Sequence, residues 1–417
     1  MRMQKLDQLM CRARRLAGSP VMAIAGSLVI VAALASCAQP GAIIRPALPE
    51  PAKSSSPPEL VAPEPVIVTS LGPDSGANPS PNVASMVPPP TARQAHIALI
   101  IPVNSRDLAA AADAVKQGFT AGALAEGAAA PPFRIYPSDN ETNSLAAQYR
   151  KAVQEGAIAL VGGITRDGAT VMAKEAGLLP TLALNAPAET ELPDRFFYIT
   201  LNVDAEVRQQ ARSAAQEGFR RAALLVGNTQ LARRIQETFE REWTRLGGQI
   251  AARITLSGDA STYTTTVQAA MERAHADMAF FAADSGTARS ARPYLPTGMP
   301  VFATSHSLDA RAEPVQNVDL ESVHFLEMPW FVEKDHPAVM AYAKPASNLP
   351  LDYERLYALG IDAWRLTQTI LKSDRARDIA PLDGVTGKLT LDGAQFVRTL
   401  TPVEMRDGVP FVFRPGE

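Results

Sequence analysis

The chain has 417 residues, of which 46% are hydrophobic and 20% are charged. Its length exceeds that of one typical domain, and its apolar content is ample for a sizeable core. The formal net charge is −3, and because the N-terminal segment holds more basic than acidic side chains, the rest of the chain is more acidic still. Such a charge argues against nucleic acid as a partner.

Residues 1–36 have the pattern of a secretion signal. Basic side chains precede an apolar run at 21–35 that is too short to span a bilayer comfortably. The end of this run, LASC at 34–37, resembles the lipobox of bacterial lipoproteins. That resemblance implies that residues 1–36 are a lipoprotein signal peptide and that the thiol of Cys37 is acylated. Since Ala38 follows where an Asp would favour retention in the inner membrane, we expect an anchor in the outer membrane, on its periplasmic face.

Residues 37–94 differ sharply in composition from the rest of the chain. Proline recurs among Ser, Ala, Glu and Asn, with almost no aromatic residue. Such a segment cannot bury enough apolar surface to offset its ordering entropy, which predicts a disordered tether. Fully extended at about 3.1 Å per residue, it would reach roughly 170 Å. The tether is either a leash that lets the body meet a partner across the periplasm or a plain spacer, and the sequence leaves both readings open.

From residue 95 onward, strand patterns alternate with helix patterns. The first run, HIALII at 96–101, is apolar after its first residue, as expected of a strand buried on both faces of a parallel sheet. The predicted strands are 96–101, 133–136, 157–161, 181–184, 196–200, 222–226, 249–256, 278–282, 301–303, 388–391, 396–400, 403–406 and 409–413. The predicted helices are 108–125, 144–155, 168–176, 205–217, 229–246, 262–274 and 353–371.

Two successive series of strand and helix predict an α/β fold with two doubly wound parallel-sheet lobes. The last four strands form a meander that turns at Asp392-Gly393 and Asp407-Gly408. We expect these pieces to complete the two lobes, so that the chain crosses between them several times. The predicted division is 95–201 plus about 329–380 for the first lobe, and 202–328 plus about 381–413 for the second.

Repeated crossings make a hinge and leave a cleft between the lobes, which is a usual place for a ligand. In each lobe, the carboxyl ends of the parallel strands would present the contacts. The glycines at 162–163 either offer N–H groups to a carboxylate or phosphate, or serve a tight turn only. The candidate cleft residues, which follow predicted strands or lie near a crossover, are Asn104, Ser105, Gly162, Gly163, Thr165, Asn185, Ser305, Glu327 and Trp330.

The common signatures of catalysis are missing. The two cysteines allow no disulfide after processing, since Cys11 leaves with the signal and Cys37 is acylated. The five histidines show no HExxH or paired spacing, and no G-x-S-x-G elbow occurs. Ser305, His306 and Asp309 lie too close together on one loop to place a catalytic triad. We therefore predict no catalytic residue, no metal site and no cofactor.

Six short strings of the body resemble a known family. They are LALN at 182–185, PVFATSHS at 300–307, DLESVHF at 319–325, EMPWF at 327–331, LYALGIDA at 356–363 and GVTGKLTL at 384–391. Taken together, they resemble the LppC-type outer-membrane lipoproteins, the penicillin-binding protein activators. The two-lobed architecture is similar to that of type I periplasmic solute-binding proteins.

The resemblance implies a protein that is not an enzyme, and that binds and stimulates a class A penicillin-binding protein, a peptidoglycan synthase. Peptidoglycan and a small ligand in the cleft are further candidate partners. One departure matters, because the best-known family members carry a helical-repeat domain where this chain has only the tether. The alternative function is a receptor for an amino-acid-like solute in an ABC transport or sensing system. It fits the two lobes but not the anchor, since the permease sits in the opposite membrane.

Overall fold

Parallel strands with helices packed on both faces build the body of the chain. The computed structural model describes residues 94–256, 259–373 and 375–413, except for the side chain of Arg377. These residues belong to one compact unit, Ser85–Glu417. The predicted signal peptide, Cys37 and the tether up to residue 93 lie outside the described residues.

The secondary structure follows the predicted alternation of strand and helix. The strands are β1 (His96–Ile101), β2 (Phe133–Pro137), β3 (Ala157–Gly162), β4 (Thr181–Ala183), β5 (Phe196–Ile199), β6 (Arg221–Val226), β7 (Gln249–Thr255), β8 (Met278–Ala282), β9 (Val301–Ala303), β10 (Val323–Glu327), β11 (Leu382–Asp383), β12 (Lys388–Asp392), β13 (Gln395–Thr399), β14 (Thr401–Arg406) and β15 (Val409–Val412). The helices are α1 (Ala109–Glu126), α2 (Asn143–Gln154), α3 (Arg166–Glu175), α4 (Val203–Gln216), α5 (Gln230–Arg245), α6 (Ala269–Ala274), α7 (Ser285–Ala291), α8 (Pro314–Asn317), α9 (Pro329–Val332), α10 (Pro337–Met340) and α11 (Leu351–Lys372).

The strands form two sheets, one in each lobe. The first sheet has the order β11-β12-β13-β5-β4-β3-β1-β2, and the second has the order β15-β14-β10-β9-β8-β6-β7. Neighbouring strands are parallel from β13 to β2 in the first sheet and from β10 to β7 in the second. Antiparallel strands close one edge of each sheet. The predicted α/β fold with two lobes is confirmed.

Hydrophobic side chains cover both faces of each sheet. All six residues of β1 are buried, with Leu99 packed in the core on one face and Ile100 in the core on the other. In the second lobe, Phe281 and Phe280 of β8 face opposite cores in the same way. Because a strand buried on both faces has no solvent side, its sequence carries no polar alternation. The near-continuous apolar run at 96–101 therefore predicts β1 correctly.

The structure corrects the predicted division of the body. The sequence analysis assigns residues 381–413 to the second lobe, but β12 and β13 lie in the first sheet, where β13 runs parallel to β5. The cause is packing, because Leu389 and Phe396 are buried in a core of the first lobe. β14 and β15 lie in the second sheet. Within the described ranges, the chain passes between the sheets after β5, after β10 and between β13 and β14.

Helices α1 and α11 of the first lobe pack unusually closely against each other. A Cβ atom on Gly118 would lie 1.9 Å from the carbonyl oxygen of Tyr357, and one on Gly360 would lie 2.3 Å from that of Val115. Both distances are shorter than any real contact, so neither position admits a larger side chain unless the helices move apart. The glycine of the LYALGIDA string thus serves close helix packing.

We expect Gly118→Ala to lower the free energy of unfolding by about 2 kcal/mol or more, because overpacking a fixed backbone contact costs that much. Urea unfolding of the full chain measures it. Gly177→Ala is the matched control, since a Cβ atom there meets nothing within 4 Å. Equal stability of the two variants would show that α1 and α11 are farther apart in solution.

Candidate functional site

A cavity of about 320 Å³ lies between the two lobes. Its charged and polar lining comes from both sides of the molecule. The first lobe contributes Arg355 from α11 and Arg398 from β13, while the second contributes Glu206 from α4, Ser305 after β9 and Glu327 at the end of β10. The first lobe therefore presents two guanidinium groups to two carboxylates of the second. We call Glu206, Glu327, Arg355 and Arg398 the interlobe charge cluster.

An ion pair joins the lobes inside this cluster. Arg355 Nη2 lies 3.0 Å from Glu327 Oε2, and Glu327 Oε1 accepts a hydrogen bond from the backbone N–H of Met328 at 2.8 Å. The same guanidinium donates to the carbonyl oxygen of Ser305 at 3.4 Å. Glu327 is 1% exposed, so its charge is removed from water and depends on these partners.

The second carboxylate of the cluster holds the loop after β9. Glu206 is 5% exposed, and it accepts hydrogen bonds from the backbone N–H and from the hydroxyl of Ser305, the latter at 2.9 Å. Burial raises the pKa of Glu206 to about 7, which the hydrogen bonds from Ser305 oppose and the charge of Glu327 reinforces. Every oxygen of this carboxylate already has a donor within the chain.

Arg398 fixes the crossover on the side of the first lobe. Its guanidinium donates to the carbonyl oxygens of Thr200 at 3.1 Å and Thr386 at 3.2 Å. Burial lowers the pKa of Arg398, and the carboxylates of Glu206, Glu327 and Asp362 counteract that effect. The guanidinium group of Arg398 is thus held by backbone carbonyl groups just after β5 and just before β12. The cavity that it lines is bounded by firmly held groups.

A second cavity, of about 590 Å³, adjoins the first and shares Leu201 and Leu356 with it. Asn185 lines it from the first lobe, and the ion pair between Arg234 and Asp204 lines it from the second, with nitrogen–oxygen distances of 2.9 and 3.0 Å. The two cavities together form the cleft between the lobes.

The predicted cleft residues divide into two groups. Ser305 and Glu327 line the inner cavity and Asn185 lines the outer one. The other six, Asn104, Ser105, Gly162, Gly163, Thr165 and Trp330, line neither cavity. Trp330 is fully buried in a core between the lobes, and its indole N–H donates to Glu354 Oε1 at 2.9 Å. Trp330 of the EMPWF string therefore serves packing and is not available to a ligand in the cleft.

The loop after β3 binds a carboxylate of the chain itself. Glu141 Oε2 accepts hydrogen bonds from the backbone N–H of Thr165 at 3.1 Å and from its hydroxyl at 3.3 Å. A Cβ atom on Gly168, in the first turn of α3, would lie 1.8 Å from the same oxygen. Gly163 has a φ of 63°, a left-handed conformation that glycine adopts readily, as expected if the glycine pair serves a tight turn. The donors to Glu141 are the backbone N–H and the hydroxyl of Thr165, so the prediction that Gly162 and Gly163 offer N–H groups to an anion stays a prediction.

Two of the family-like strings meet at a buried carboxylate. Asp362 of LYALGIDA accepts hydrogen bonds from the backbone N–H groups of Val385 at 3.0 Å and Thr386 at 2.8 Å, and from the hydroxyl of Thr386 at 2.6 Å. Gly384 begins the GVTGKLTL string, and a Cβ atom there would lie 2.6 Å from Asp362 Oδ2. These strings therefore build the loop between β11 and β12 beside Arg398.

The sequence analysis does not identify Glu141, Glu206, Arg355 or Arg398 as site residues. Arg355 and Arg398 stand inside a predicted helix and a predicted strand, and Glu206 begins a predicted helix, so each looks like an ordinary polar position. The partners described above lie from 12 to 198 residues away along the chain. Only a correct pairing of the two lobes would have brought them together.

Among the residues that the structure describes, no cluster of three or more His, Cys, Asp or Glu side chains is placed to hold a metal ion. None of the helices in that part of the chain combines the length and the apolar character needed to cross a membrane.

Comparison with known proteins gives one family. The family model described as "LppC putative lipoprotein" matches residues 89–408. The penicillin-binding protein activator LpoA of Pantoea ananatis is 25% identical over 68% of this chain and 48% of its own. The chain spans about half the length of the curated relatives it matches.

Solved structures share the two-lobed fold. A protein of Chromobacterium violaceum, described as a "putative branched-chain amino acid ABC transporter", has a TM-score of 0.65 and 31% identity, and the match covers 75% of this chain and 100% of that one. Full-length LpoA of Haemophilus influenzae has a TM-score of 0.63 and 22% identity over 76% of this chain and 59% of its own. The similarity to LpoA of Haemophilus influenzae shows only that the two proteins share a fold.

Proposed function

Because the chain belongs to the LppC family of lipoproteins, we propose that it is an outer-membrane lipoprotein that binds and stimulates a class A penicillin-binding protein from the periplasmic side. Its relatives are known as penicillin-binding protein activators, which supports this assignment. On this proposal the protein acts by binding its partner and not by catalysis.

The observation that carries the proposal is that charged groups lining the cleft are already paired within the chain. Glu206 accepts hydrogen bonds from both donors of Ser305. Arg355 is paired with Glu327. A solute receptor keeps such groups free for its ligand, since each would otherwise have to be displaced at a cost. The internal pairing supports a body that presents its outer surface to a protein partner.

The N-terminal segment supplies the second part of the proposal. An acylated Cys37 would hold the chain at the outer membrane, and a tether over residues 37–94 would let the body reach a synthase on the other side of the periplasm. The relatives are about twice as long as their match with this chain. We propose that the body and tether together are enough to activate the synthase without an added domain.

The test uses the full processed chain and a class A penicillin-binding protein from the same cell, with glycan polymerisation and peptide cross-linking followed separately. We expect stimulation of at least one of the two reactions by the wild-type protein. The matched control is the same protein after thermal denaturation. Absence of stimulation by a folded protein, together with a rise in its melting temperature in the presence of an amino acid, would support the receptor and overturn the activator.

A further inference from the structure

The outer face of α4 and α5 in the second lobe carries an excess of positive charge. Within α4 and α5 the sequence holds six arginines, five acidic residues and no lysine, although the whole chain has a net charge of −3. One of those acids, Glu206, is buried in the cleft and does not reach this face. A basic face on an acidic protein is a candidate interaction surface.

Hydrogen bonds order the arginines along the seam between the two helices. Arg234 of α5 holds Asp204 of α4 through two hydrogen bonds of 2.9 and 3.0 Å. Further along, Glu242 of α5 accepts from Arg212 of α4 at 2.9 Å and from Arg245 at 2.7 Å. These contacts hold three guanidinium groups in place while more than half of each side chain stays exposed.

Two further arginines lie on the same seam without a carboxylate partner among the described residues. Arg208 stands one helical turn from both Asp204 and Arg212, so it shares their face of α4. Arg241 of α5 donates to the hydroxyl of Thr238 at 3.1 Å, and that hydroxyl lies 3.5 Å from Asp204. We call Arg208, Arg212, Arg234, Arg241 and Arg245 the arginine ridge. Its five guanidinium groups lie beside three carboxylates, those of Asp204 and Glu242 and that of the exposed Glu237 one helical turn before Arg241.

The ridge suits carboxylates on another protein. A guanidinium group offers a planar fork of donors that matches a carboxylate, and it is weakly hydrated for a cation. The ridge already binds Asp204 in this forked geometry. Membrane binding by a basic helix also needs apolar side chains at the surface. On α4 and α5 the large apolar residue that is exposed is Leu231, and it lines the interlobe cavity.

We propose that the arginine ridge docks an acidic segment of the synthase. This inference rests on the proposed function, because it names the surface through which that partner is held. Arg208 and Arg241 supply the free guanidinium groups, and the three paired arginines set the positive potential around them. Attraction of this kind raises the association rate and weakens with added salt.

The test is the double variant Arg208→Glu/Arg241→Glu in the full chain, with binding to the synthase measured by surface plasmon resonance at about 50 mM and about 500 mM salt. We expect binding at low salt to weaken roughly tenfold or more, mainly through a slower association rate, and the difference from wild type to shrink at high salt. The charge-matched control is Arg106→Glu/Lys388→Glu, which reverses two exposed first-lobe cations and should bind as wild type does.

The outcomes separate the two proposals. If wild type binds and stimulates the synthase and the ridge variant does so equally well, the docking surface lies elsewhere and this inference is wrong. Equal loss in the ridge and control variants would also overturn it, since net charge alone would then account for binding. Failure of the wild-type protein to bind would overturn the proposed function together with the ridge. If Arg208→Glu/Arg241→Glu melts early, Arg208→Gln/Arg241→Gln replaces it, with a smaller loss expected.

Discussion

Arg355→Met lowers the free energy of unfolding by about 3 to 5 kcal/mol, which is the usual cost of breaking a buried ion pair from one side. The substitution keeps most of the side-chain volume and removes the charge that faces Glu327 at 3.0 Å. Glu327 is 1% exposed and cannot exchange its lost partner for water. Glu206 loses a neighbouring cation at the same time. Urea unfolding of the full chain measures the change.

A second ion pair across helices provides the control for this prediction. Arg234→Met breaks the ion pair between Arg234 and Asp204. Because the side chain of Arg234 is 56% exposed, the free energy of unfolding should fall by less than about 1 kcal/mol. The double variant Glu327→Gln/Arg355→Met should cost less than the sum of its single variants, because no buried charge is left alone. Similar small losses in Arg355→Met and Arg234→Met would mean that water reaches the interlobe charge cluster, and that the lobes open in solution.

The strands and helices that could be predicted from the sequence are those whose own residues carry the signal. β1 is apolar after its first residue, and α5 places Ile235, Phe239 and Trp243 four residues apart, all fully buried. β10 and α7 are missed, because they are only five and seven residues long and so carry little periodic signal. The assignment of β12 and β13 to the wrong lobe has a different cause. A hairpin can join either of two sheets, and only its packing partners decide which sheet it joins.

The site was less accessible to sequence analysis than the fold. Positions after parallel strands are correctly expected to gather at one edge of a sheet, and three of the nine candidates do line the cleft. The same reasoning cannot show that a distant side chain of the chain already occupies such a position. Glu141 lies in the loop between β2 and α2, where nothing in its neighbourhood marks it as the partner of Thr165. The acceptor is revealed only by the folded structure.

Glu141 should make the protein less stable as the pH rises from about 5 to about 8. Burial raises the pKa of this carboxyl group to about 7, although hydrogen bonds from Thr165 oppose the shift. The ordinary value of 4.5 applies when the chain is unfolded. A raised folded-state pKa contributes stability that is fully present below pH 4.5 and is lost as the pH rises through 7. The loss from this residue alone amounts to about 3 kcal/mol, and Glu206 adds to it in the same direction.

Comparison of Glu141→Gln with wild type at both ends of this pH range isolates the residue. The glutamine fills the same space and does not titrate, so the stability of the variant relative to wild type should rise by about 3 kcal/mol between pH 5 and pH 8. Glu242→Gln is the control, because the guanidinium groups of Arg245 and Arg212 hold the pKa of Glu242 at about 2 and it stays ionised throughout. A constant difference for Glu141→Gln would mean that water reaches this carboxylate. The loop after β3 would then be open often enough to receive a carboxylate from outside.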